Sequence, residues 1–282
     1  MNEGTLFIVA TPIGNLNDLS PRAREVLAAA DLIAAEDTRV TGRLLSHFGI
    51  KGRQMALHEH NEEAVSAQLL RELKNGKSVA LVSDAGTPLI SDPGFSLLCL
   101  AHAEGITVSP IPGASAVIAA LSASGLPTDR FTFEGFLPPK KAARTKRLQS
   151  LAKEQRTMVF YESVHRIADT LNDMTETLGS LRKAFIGREL SKLHEQCVCA
   201  DLQTLVSMIE DGSIPSKGEF VVAVVGARDE DVDAEQLNAD RLLAELVAVL
   251  PGKQAVEIAT RLSGRHRNEL YQKMLELKAE KS

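Results

Sequence analysis

The sequence contains no tryptophan, only three cysteines and few aromatic residues, and each shortage excludes a class of protein. Aromatic residues make up 4% of the 282 residues, which excludes the aromatic-rich sequences that stack single-stranded RNA bases. Cys99, Cys197 and Cys199 provide no paired disulfide framework. We therefore expect reduced thiols and a cytoplasmic protein.

Long apolar runs and metal-binding spacings are also missing. No stretch approaches the roughly 20 apolar residues that a membrane-spanning helix requires, and the N-terminus MNEGTLFIVATPIGN lacks the features of a secretory signal. Cys197 and Cys199 have no second ligand pair at a zinc-like spacing, so we predict no metal. We interpret this pair as small apolar residues on one face of a strand.

The negative charge of the chain is concentrated in one segment. The net charge is −5, and residues 228–240 alone contain six acids and one arginine. Against the neutral remainder, two basic stretches stand out, KKAARTKR at 140–147 and RLSGRHR at 261–267. Each stretch alone is typical of a solvated helix face, but two in one chain favour an anionic partner.

The first part of the chain alternates strand-like and helix-like segments. Ser20 and Pro21 are typical of a helix start. The predicted strands are 5–10, 32–37, 54–58, 78–83 and 106–111. The predicted helices are 20–31, 39–49, 61–76, 95–104 and 114–124. This alternation indicates an α/β domain with a largely parallel sheet.

A second alternating block follows the turn-rich segment GLPTDR. Its predicted strands are 130–136, 156–162, 183–190 and 218–226, with helices near 141–154, 164–178 and 201–211. Further helices are predicted at 236–249, 252–263 and 267–279. The predicted fold class is α/β, with two α/β domains at 1–125 and 126–227, an acidic linker at 228–240 and a C-terminal helical extension at 241–282.

Three glycine-containing loops follow strands of the first domain. They are TPIGNLNDLS after the first strand, SDAGTPLISDPG after the fourth and PGASA after the fifth. Because ligands bind beyond the carboxyl ends of parallel strands, these loops predict a pocket formed largely by backbone. Within these loops, Asp92–Gly94 are typical of a turn and helix cap, and we assign Ser115 to a helix N-cap.

The usual nucleotide and hydrolase signatures do not occur. The sequence lacks G-x-G-x-x-G, G-x-x-x-x-G-K-[ST], H-E-x-x-H and G-x-S-x-G. A standard dinucleotide site, a P-loop and a nucleophile elbow are therefore excluded.

Several motifs in a fixed order resemble a known family. They are TPIGNLNDLS, AAEDTR, LHEHNE, LVSDAGTPLISDPG, GFLPPK, FYESVHR, GREL and GEFVV, spread over roughly residues 5–226. Together they resemble the tetrapyrrole-methylase superfamily of S-adenosylmethionine enzymes, and EDTR with HNE resembles its rRNA-methylating branch. One departure is Val164 in FYESVHR, where the family usually has proline.

The resemblance implies a fold, a cofactor and a reaction. It implies that S-adenosylmethionine lies in a cleft between the two α/β domains of a homodimeric protein. It implies methyl transfer to the 2′-hydroxyl of a cytidine in the decoding region of 16S rRNA. Because few aromatic residues are available to read unfolded strands, we expect the assembled 30S subunit to be the preferred substrate. The alternatives are methylation of a tetrapyrrole or other small molecule, and a non-catalytic RNA- or ribosome-binding protein.

The motifs, the predicted strand ends and the basic stretches together assign residues to three roles. The cofactor-binding candidates are Pro12, Ile13, Gly14, Asp84, Ala85, Gly86, Thr87, Ser115, Ala116, Tyr161, Arg188 and Glu219. The candidates for a base acting on the ribose hydroxyl are Asp37, His60, Glu62 and Glu162, and the sequence does not choose among them. The RNA-binding candidates are Arg39, Asn61, Lys140, Lys141, Arg144, Lys146, Arg147, Arg166, Arg265 and Arg267. Arg188 is a further candidate for phosphate, with an ion pair to Glu189 as the alternative.

Overall fold

The computed structural model describes residues 4–227 and 241–279. They form two compact units. One consists of residues up to 149 together with 157–224 and contains both β-sheets, and the other consists of 150–156 with the residues after 224. The predicted acidic linker at 228–240, and the start of the helix predicted at 236–249, lie outside the described residues.

The first sheet has five parallel strands in the order β3-β2-β4-β1-β5. The strands are β1 (Thr5–Val9), β2 (Leu32–Ala35), β3 (Gln54–Ala56), β4 (Val79–Val82) and β5 (Thr107–Ile111). The helices are α1 (Pro21–Ala29), α2 (Thr38–His47), α3 (Glu62–Lys74), α4 (Phe95–Ala103) and α5 (Ala116–Ser124), with a 3₁₀ turn at Leu16–Asp18. The parallel α/β architecture predicted from the alternation is confirmed.

Burial on both faces explains the sequence of the central strands. Every residue of β2 and β4 is buried, so these strands are continuous apolar runs and do not alternate with polar residues. Leu69 and Leu73 of α3 pack on one face of the sheet. Leu27 of α1 and Leu45 of α2 pack on the other.

Helix α1 begins where the sequence predicts it. The Ser20 hydroxyl accepts a hydrogen bond from the Ala23 N–H at 3.1 Å, and Pro21 is the first helical residue. Proline is favourable there because the first turn of a helix leaves its N–H groups without intrahelical partners. This cap orients the chain that leaves the loop after β1.

The second sheet has the order β6-β7-β10-β8-β9 and is mostly antiparallel. Its strands are β6 (Phe131–Phe136), β7 (Thr157–Ser163), β8 (Lys183–Arg188), β9 (Gln196–Asp201) and β10 (Glu219–Val224). Only β6 and β7 pair in parallel. The accompanying helices are α6 (Lys141–Leu151), α7 (Ile167–Leu178) and α8 (Leu202–Glu210).

Strand β9 is missing from the predicted strands, and the interpretation of its cysteines needs correction. Cys197 and Cys199 do lie on one face of a strand, but both are exposed. They therefore do not act as core residues. Their strand is the last of the sheet order, where one edge has no strand partner, and this position explains the weak apolar signal.

Helix α5 connects the two sheets. It follows β5 of the first sheet, yet Val117, Ala120 and Leu121 pack against Phe185 and Val221 of the second sheet. The start of α5 therefore lies where the two sheets meet.

The other compact unit has its own small core. It contains helical residues 241–249 (α9), α10 (Gly252–Ser263) and α11 (Arg267–Ala279). Leu243, Val256, Leu270 and Met274 form its buried centre. Over the residues that the structure describes, no helix is long and apolar enough to cross a membrane.

Candidate active site

A cleft of about 360 Å³ lies between the two sheets of the larger unit. Its first wall comes from the carboxyl edge of the parallel sheet, as the strand-loop pattern predicts. The lining residues on this side are Ile13, Glu36, Asp84, Ala85, Gly86, Thr87, Ile90, Ser91, Asp92, Ser115 and Ala116. The loop of residues 83–94 contributes more of them than any other segment.

Backbone hydrogen bonds fix this loop against its neighbours. The Thr11 N–H donates to the Gly86 carbonyl at 2.8 Å, and the Gly86 N–H donates to the Thr11 carbonyl at 3.1 Å. The Thr87 hydroxyl donates to the Ala114 carbonyl at 3.1 Å. The loops after β1, β4 and β5 are thus held together, and the φ of +84° at Gly86 is one that favours glycine.

The same loop contains two residues with an uncommon backbone conformation. Leu89 has a φ of +74° and Ser91 a φ of +73°. Positive φ is costly for residues with a Cβ, most of all for a bulky side chain, and persists only where the surrounding structure enforces it. Such strain clusters at ligand sites and distinguishes this loop from an ordinary connection.

Three carboxylates stand together in the cleft. The Asp84 N–H donates to Glu36 Oε2 at 3.2 Å, and Asp84 Oδ1 accepts from the Asp37 N–H at 3.1 Å. Burial is the main cause that raises the pKa of both Glu36 and Asp84 above its ordinary value. Burial also raises the pKa of Asp92 to about 6, and the charges of Glu36 and Asp84 act in the same direction.

The opposite wall is formed by the second sheet. Its lining residues are Phe136, Tyr161, Glu162, Ser163, Gly187, Leu190, Glu219, Phe220 and Val221. Leu190, Phe220 and Val221 are buried apolar side chains. Burial raises the pKa of the Tyr161 hydroxyl, and the charge of Asp92 adds to this effect. The first wall therefore carries the three neighbouring carboxylates, and the second wall combines buried apolar side chains with Glu162 and Glu219.

Three of the four candidate bases lie outside the cleft lining. Asp37 is the N-cap of α2 and pairs with Arg39 at 2.6 Å, an interaction that holds its pKa well below the ordinary range. His60 is exposed in the turn before α3. Glu62 accepts hydrogen bonds from the N–H groups of Gly94 at 3.1 Å and Ser96 at 2.8 Å, so it caps helix α4.

Glu162 lines the cleft, but both of its oxygens are engaged. Oε1 accepts from the Ser163 N–H at 2.7 Å and from Arg166 Nε at 2.8 Å. Oε2 accepts from the Thr170 hydroxyl at 2.7 Å. The same contacts hold the turn that contains Val164, where the Arg166 N–H donates to the Ser163 carbonyl at 3.1 Å. Glu162 is thus well suited to organising this turn and poorly suited to accepting a proton.

The cofactor candidates divide into two groups. Ile13, Asp84, Ala85, Gly86, Thr87, Ser115, Ala116, Tyr161 and Glu219 line the cleft, whereas Pro12, Gly14 and Arg188 do not. Ser115 occupies the N-cap position of α5 without a side-chain capping bond. Arg188 is buried and donates to the carbonyls of Lys217 and His194, while Glu189 pairs with Lys192 at 2.8 Å. The alternative ion pair of Arg188 with Glu189 is therefore not formed.

The basic stretch 140–147 is not a uniform cationic surface. Arg144 is only 3% exposed and pairs with the buried Asp173 at 2.6 Å, so it cannot reach a phosphate. Lys141 lies 3.4 Å from the same carboxylate, and Arg147 pairs with Glu134. Lys140 and Lys146 are exposed. The prediction that Arg144 contacts RNA is corrected by this buried ion pair.

The remaining RNA-binding candidates differ in exposure. Arg39 and Arg267 are exposed. Asn61 makes a local turn, accepting from the His58 N–H and donating to the Ala56 carbonyl. Arg166 bonds Glu162 and the Leu137 carbonyl. Arg265 lies 3.3 Å from Glu269. Asn61 and Arg166 therefore have structural partners that already use their polar atoms.

Sequence reasoning missed three cleft residues that could take part in binding or catalysis. Glu36 follows β2 directly and could have been found by the strand-end rule that selected Asp37. Asp92 was assigned to a turn and cap because S-D-P-G is a typical turn sequence, but the N-terminus of α4 is capped by Glu62. Phe136 reaches the cleft because the pairing of β6 with β7 shifts between Phe133 and Gly135, and no local sequence pattern predicts this shift.

Comparison with solved structures shows which fold the chain has. The methyltransferase CobJ is 20% identical, with a TM-score of 0.58, covering 79% of this chain and 95% of that one. A uroporphyrin-III C-methyltransferase from Thermus thermophilus complexed with S-adenosyl homocysteine is 19% identical, with a TM-score of 0.54, covering 82% and 100%. At these identities the likeness shows the fold alone, two β-sheets with surrounding helices.

Comparison at the sequence level is more specific. Residues 5–206 match the tetrapyrrole (corrin/porphyrin) methylases, and residues 231–278 match the RsmI C-terminal HTH domain. Proteins named ribosomal RNA small subunit methyltransferase I are 52% identical in Xylella fastidiosa, over 95% of this chain and 98% of the relative, and 49% identical in Escherichia coli O157:H7, over 98% and 96%. The chain belongs to the tetrapyrrole methylase family and, within it, to the group that carries this name.

Proposed function

We propose that the protein transfers a methyl group from S-adenosylmethionine to the 2′-oxygen of a cytidine in the decoding region of 16S rRNA. The observation that carries the proposal is the end-to-end match, at about half identity, to relatives named for rRNA methylation. The cytidine and its ribose oxygen come from the resemblance of EDTR and HNE to the rRNA branch. The cleft supplies the physical support.

The residues of the cleft fit the proposed cofactor. S-adenosylmethionine, when bound, supplies an electrophilic methyl group on a positively charged sulfur. Glu36, Asp84 and Asp92 give the cleft the negative charge that a cation requires. Leu190 and Val221 offer a buried apolar surface suited to a planar base. The backbone around Gly86 allows close approach on the other side.

Asp92 is the proton acceptor that we propose for the ribose hydroxyl. It lines the cleft, and its pKa of about 6 places it near the value that general-base catalysis at neutral pH favours. In this step the ribose oxygen would form a bond to the methyl carbon as the carbon–sulfur bond breaks, which would leave a neutral thioether as the other product. The Asp92 carboxylate would accept the hydroxyl proton and then release it to solvent. Asp37, His60 and Glu62 lie outside the cleft lining, and the oxygens of Glu162 are already bonded.

The substrate context and assembly follow from the same proposal. We propose that the assembled 30S subunit is the preferred substrate, because the chain has few aromatic residues with which to read unfolded strands. Exposed Lys140, Lys146 and Arg267 are the side chains that we assign to RNA phosphate. We further propose a cytoplasmic homodimer, and a mass of 30.4 kDa by light scattering at micromolar concentration would contradict the dimer.

A comparison of substrates in parallel tests the reaction. The purified protein is incubated with S-adenosylmethionine carrying a tritiated methyl group and with 30S subunits, free 16S rRNA or a uroporphyrin-type tetrapyrrole. We expect label on the RNA, with more on 30S subunits than on free rRNA. Transfer to the tetrapyrrole alone would overturn the rRNA assignment. Tight RNA binding without transfer would instead support a non-catalytic binding protein.

A further inference from the structure

Strand β6 contains an irregularity that changes which face Phe136 occupies. The pairing with β7 runs Phe133 to Val159 and then Gly135 to Phe160, so one extra residue is inserted. Gly135 has a φ of +63°, which suits such a bulge. Since side chains alternate along a strand, an unbroken β6 would direct residue 136 to the opposite face. The bulge instead pairs Phe136 with Tyr161, on the face of Phe133.

The bulge creates a row of three aromatic rings that ends at the cleft. The ring centroids of Phe133 and Tyr161 are 4.9 Å apart, and those of Phe136 and Tyr161 are 5.6 Å apart, both edge-to-face. Phe133 belongs to the apolar core beneath α5, whereas Phe136 lines the cleft and is 57% exposed. Tyr161 and, behind it, Phe133 therefore support the exposed ring of Phe136.

A second exposed apolar side chain lines the same cleft. Ile90, on the loop of residues 83–94, is 41% exposed. A single exposed apolar side chain needs no explanation, but two that line one cleft offer apolar surface suited to a flat, partly apolar group. The chain has only nine phenylalanines and two tyrosines, so few rings are available for such a role.

We infer that Phe136 stacks on the base of the nucleotide that is methylated. The inference rests on the proposed function and names the residue that holds the substrate. The deeper apolar lining, Leu190 and Val221, is buried, whereas Phe136 is on the exposed side where a large substrate arrives. Lys140 follows four residues later in the chain and is exposed, so a cation for the RNA backbone is available on the segment that leaves β6. A stacked ring fixes one base in place without reading its identity.

Kinetics of a Phe136→Ala variant test the inference. Loss of a stacked base should lower kcat/KM for the RNA substrate about 10- to 100-fold while the affinity for S-adenosylmethionine is unchanged. Phe136→Tyr should retain activity within about threefold, because it preserves the ring. Phe131→Ala is the matched control, since Phe131 is on the same strand and face, is 39% exposed and does not line the cleft.

Fluorescence distinguishes stacking on the RNA from a purely structural role of Phe136, because a structural role predicts no change in emission when RNA is added. Because the chain has no tryptophan, Phe136→Trp introduces a single tryptophan at the proposed stacking position, and its emission can be excited selectively over that of the two tyrosines. We expect quenching on addition of the RNA that the wild-type protein methylates, and none with Phe131→Trp. Wild-type kinetics for Phe136→Ala, or loss of cofactor affinity in that variant, would overturn the inference. Failure of the proposed function is distinguishable, since the wild-type protein would then methylate no RNA.

Discussion

Asp92 occupies an environment that its local sequence does not indicate. The S-D-P-G sequence predicts a turn and a cap, yet the carboxylate lies in the cleft near Glu36 and Asp84. A carboxylate placed among like charges and away from water keeps its proton to a higher pH. Burial and the neighbouring carboxylates therefore explain why Asp92, which we propose as the general base, has a pKa of about 6.

Asp92→Asn should lower methyl transfer about 100-fold or more, because an amide cannot accept the ribose proton. For the wild-type protein, kcat/KM should rise as pH increases through about 6, which is the pKa of the Asp92 carboxyl in the enzyme without substrate. The residual activity of the variant should lack this rise. A wild-type rate for the variant, measured by initial tritium transfer between pH 5 and 8, would remove Asp92 from the mechanism.

The stability of the same variant should change with pH in a defined direction. The folded pKa of Asp92 is about 6 against 3.8 in the ordinary state, so the folded protein retains a proton that the unfolded chain releases. The contribution of Asp92 to the free energy of unfolding therefore falls as pH rises from about 4 to 6, and it stays lower above that range. Asp92→Asn should gain about 1 kcal/mol at pH 7.5 after allowance for solvent screening, and almost nothing below pH 4.

Urea unfolding at the two pH values measures this difference. Glu36→Gln serves as a control, because its raised pKa predicts a change of the same sign. An Asp92→Asn variant less stable than wild type at pH 7.5 would show that the carboxylate is not disfavoured in the cleft.

Ala85 provides a cleaner test of the cofactor cleft than Gly86. Gly86 has a φ of +84°, and an added Cβ would lie 3.3 Å from Ile13, so a larger residue there strains the loop itself. Ala85 is exposed in the cleft. Ala85→Leu should weaken S-adenosylmethionine binding about 10-fold or more by filling that space, while Ala85→Ser should not. Equal affinities by calorimetry would place the cofactor elsewhere.

Helix α6 combines a structural arginine with surface cations. Arg144 and Asp173 form a buried pair, while Lys146 on the same helix is exposed. Arg144→Gln should destabilise the protein by about 3–5 kcal/mol, because Asp173 would keep a buried charge without its main partner. Lys146→Gln should change stability by less than about 0.5 kcal/mol. Denaturant unfolding of both variants checks this, and equal stabilities would contradict the assigned difference.

Individual elements show how far the sequence predicts the fold. The apolar runs of β2 and β4 predict buried parallel strands, since only strands covered on both faces are apolar at every position. Strand β9 is absent from the predicted strands, although Cys197 and Cys199 are correctly expected on one face of a strand. Its half-exposed sequence has neither a continuous apolar run nor a buried apolar face. The bulge in β6 depends on pairing with β7, which is a tertiary contact that no local pattern records.

The sequence predicts which loops form the candidate site, but it does not predict which partners the side chains of the site contact. The loops after β1, β4 and β5 meet because parallel strands share an edge. Glu62 and Asp92 both differ from their predicted positions, since Glu62 on α3 caps α4 and Asp92 lines the cleft. This arrangement depends on contacts between segments that are distant in sequence.

At the scale of the whole molecule, charge is separated between the cleft and the surface. The cleft holds the carboxylates of Glu36, Asp84 and Asp92, which suit a cationic cofactor and would repel RNA phosphate. The exposed lysines of 140–147 lie outside its lining. This separation is consistent with a substrate whose backbone stays at the surface while one nucleotide enters the cleft.

The position of the transferred methyl group tests the central claim most directly. Labelled 30S subunits are extracted, and their 16S rRNA is hydrolysed with alkali, which cleaves a linkage only where the neighbouring 2′-hydroxyl is free. The account predicts label in one alkali-resistant dinucleotide whose 5′ residue is cytidine, derived from the decoding region. Label recovered in mononucleotides, as expected for a methylated base, would contradict transfer to the ribose oxygen.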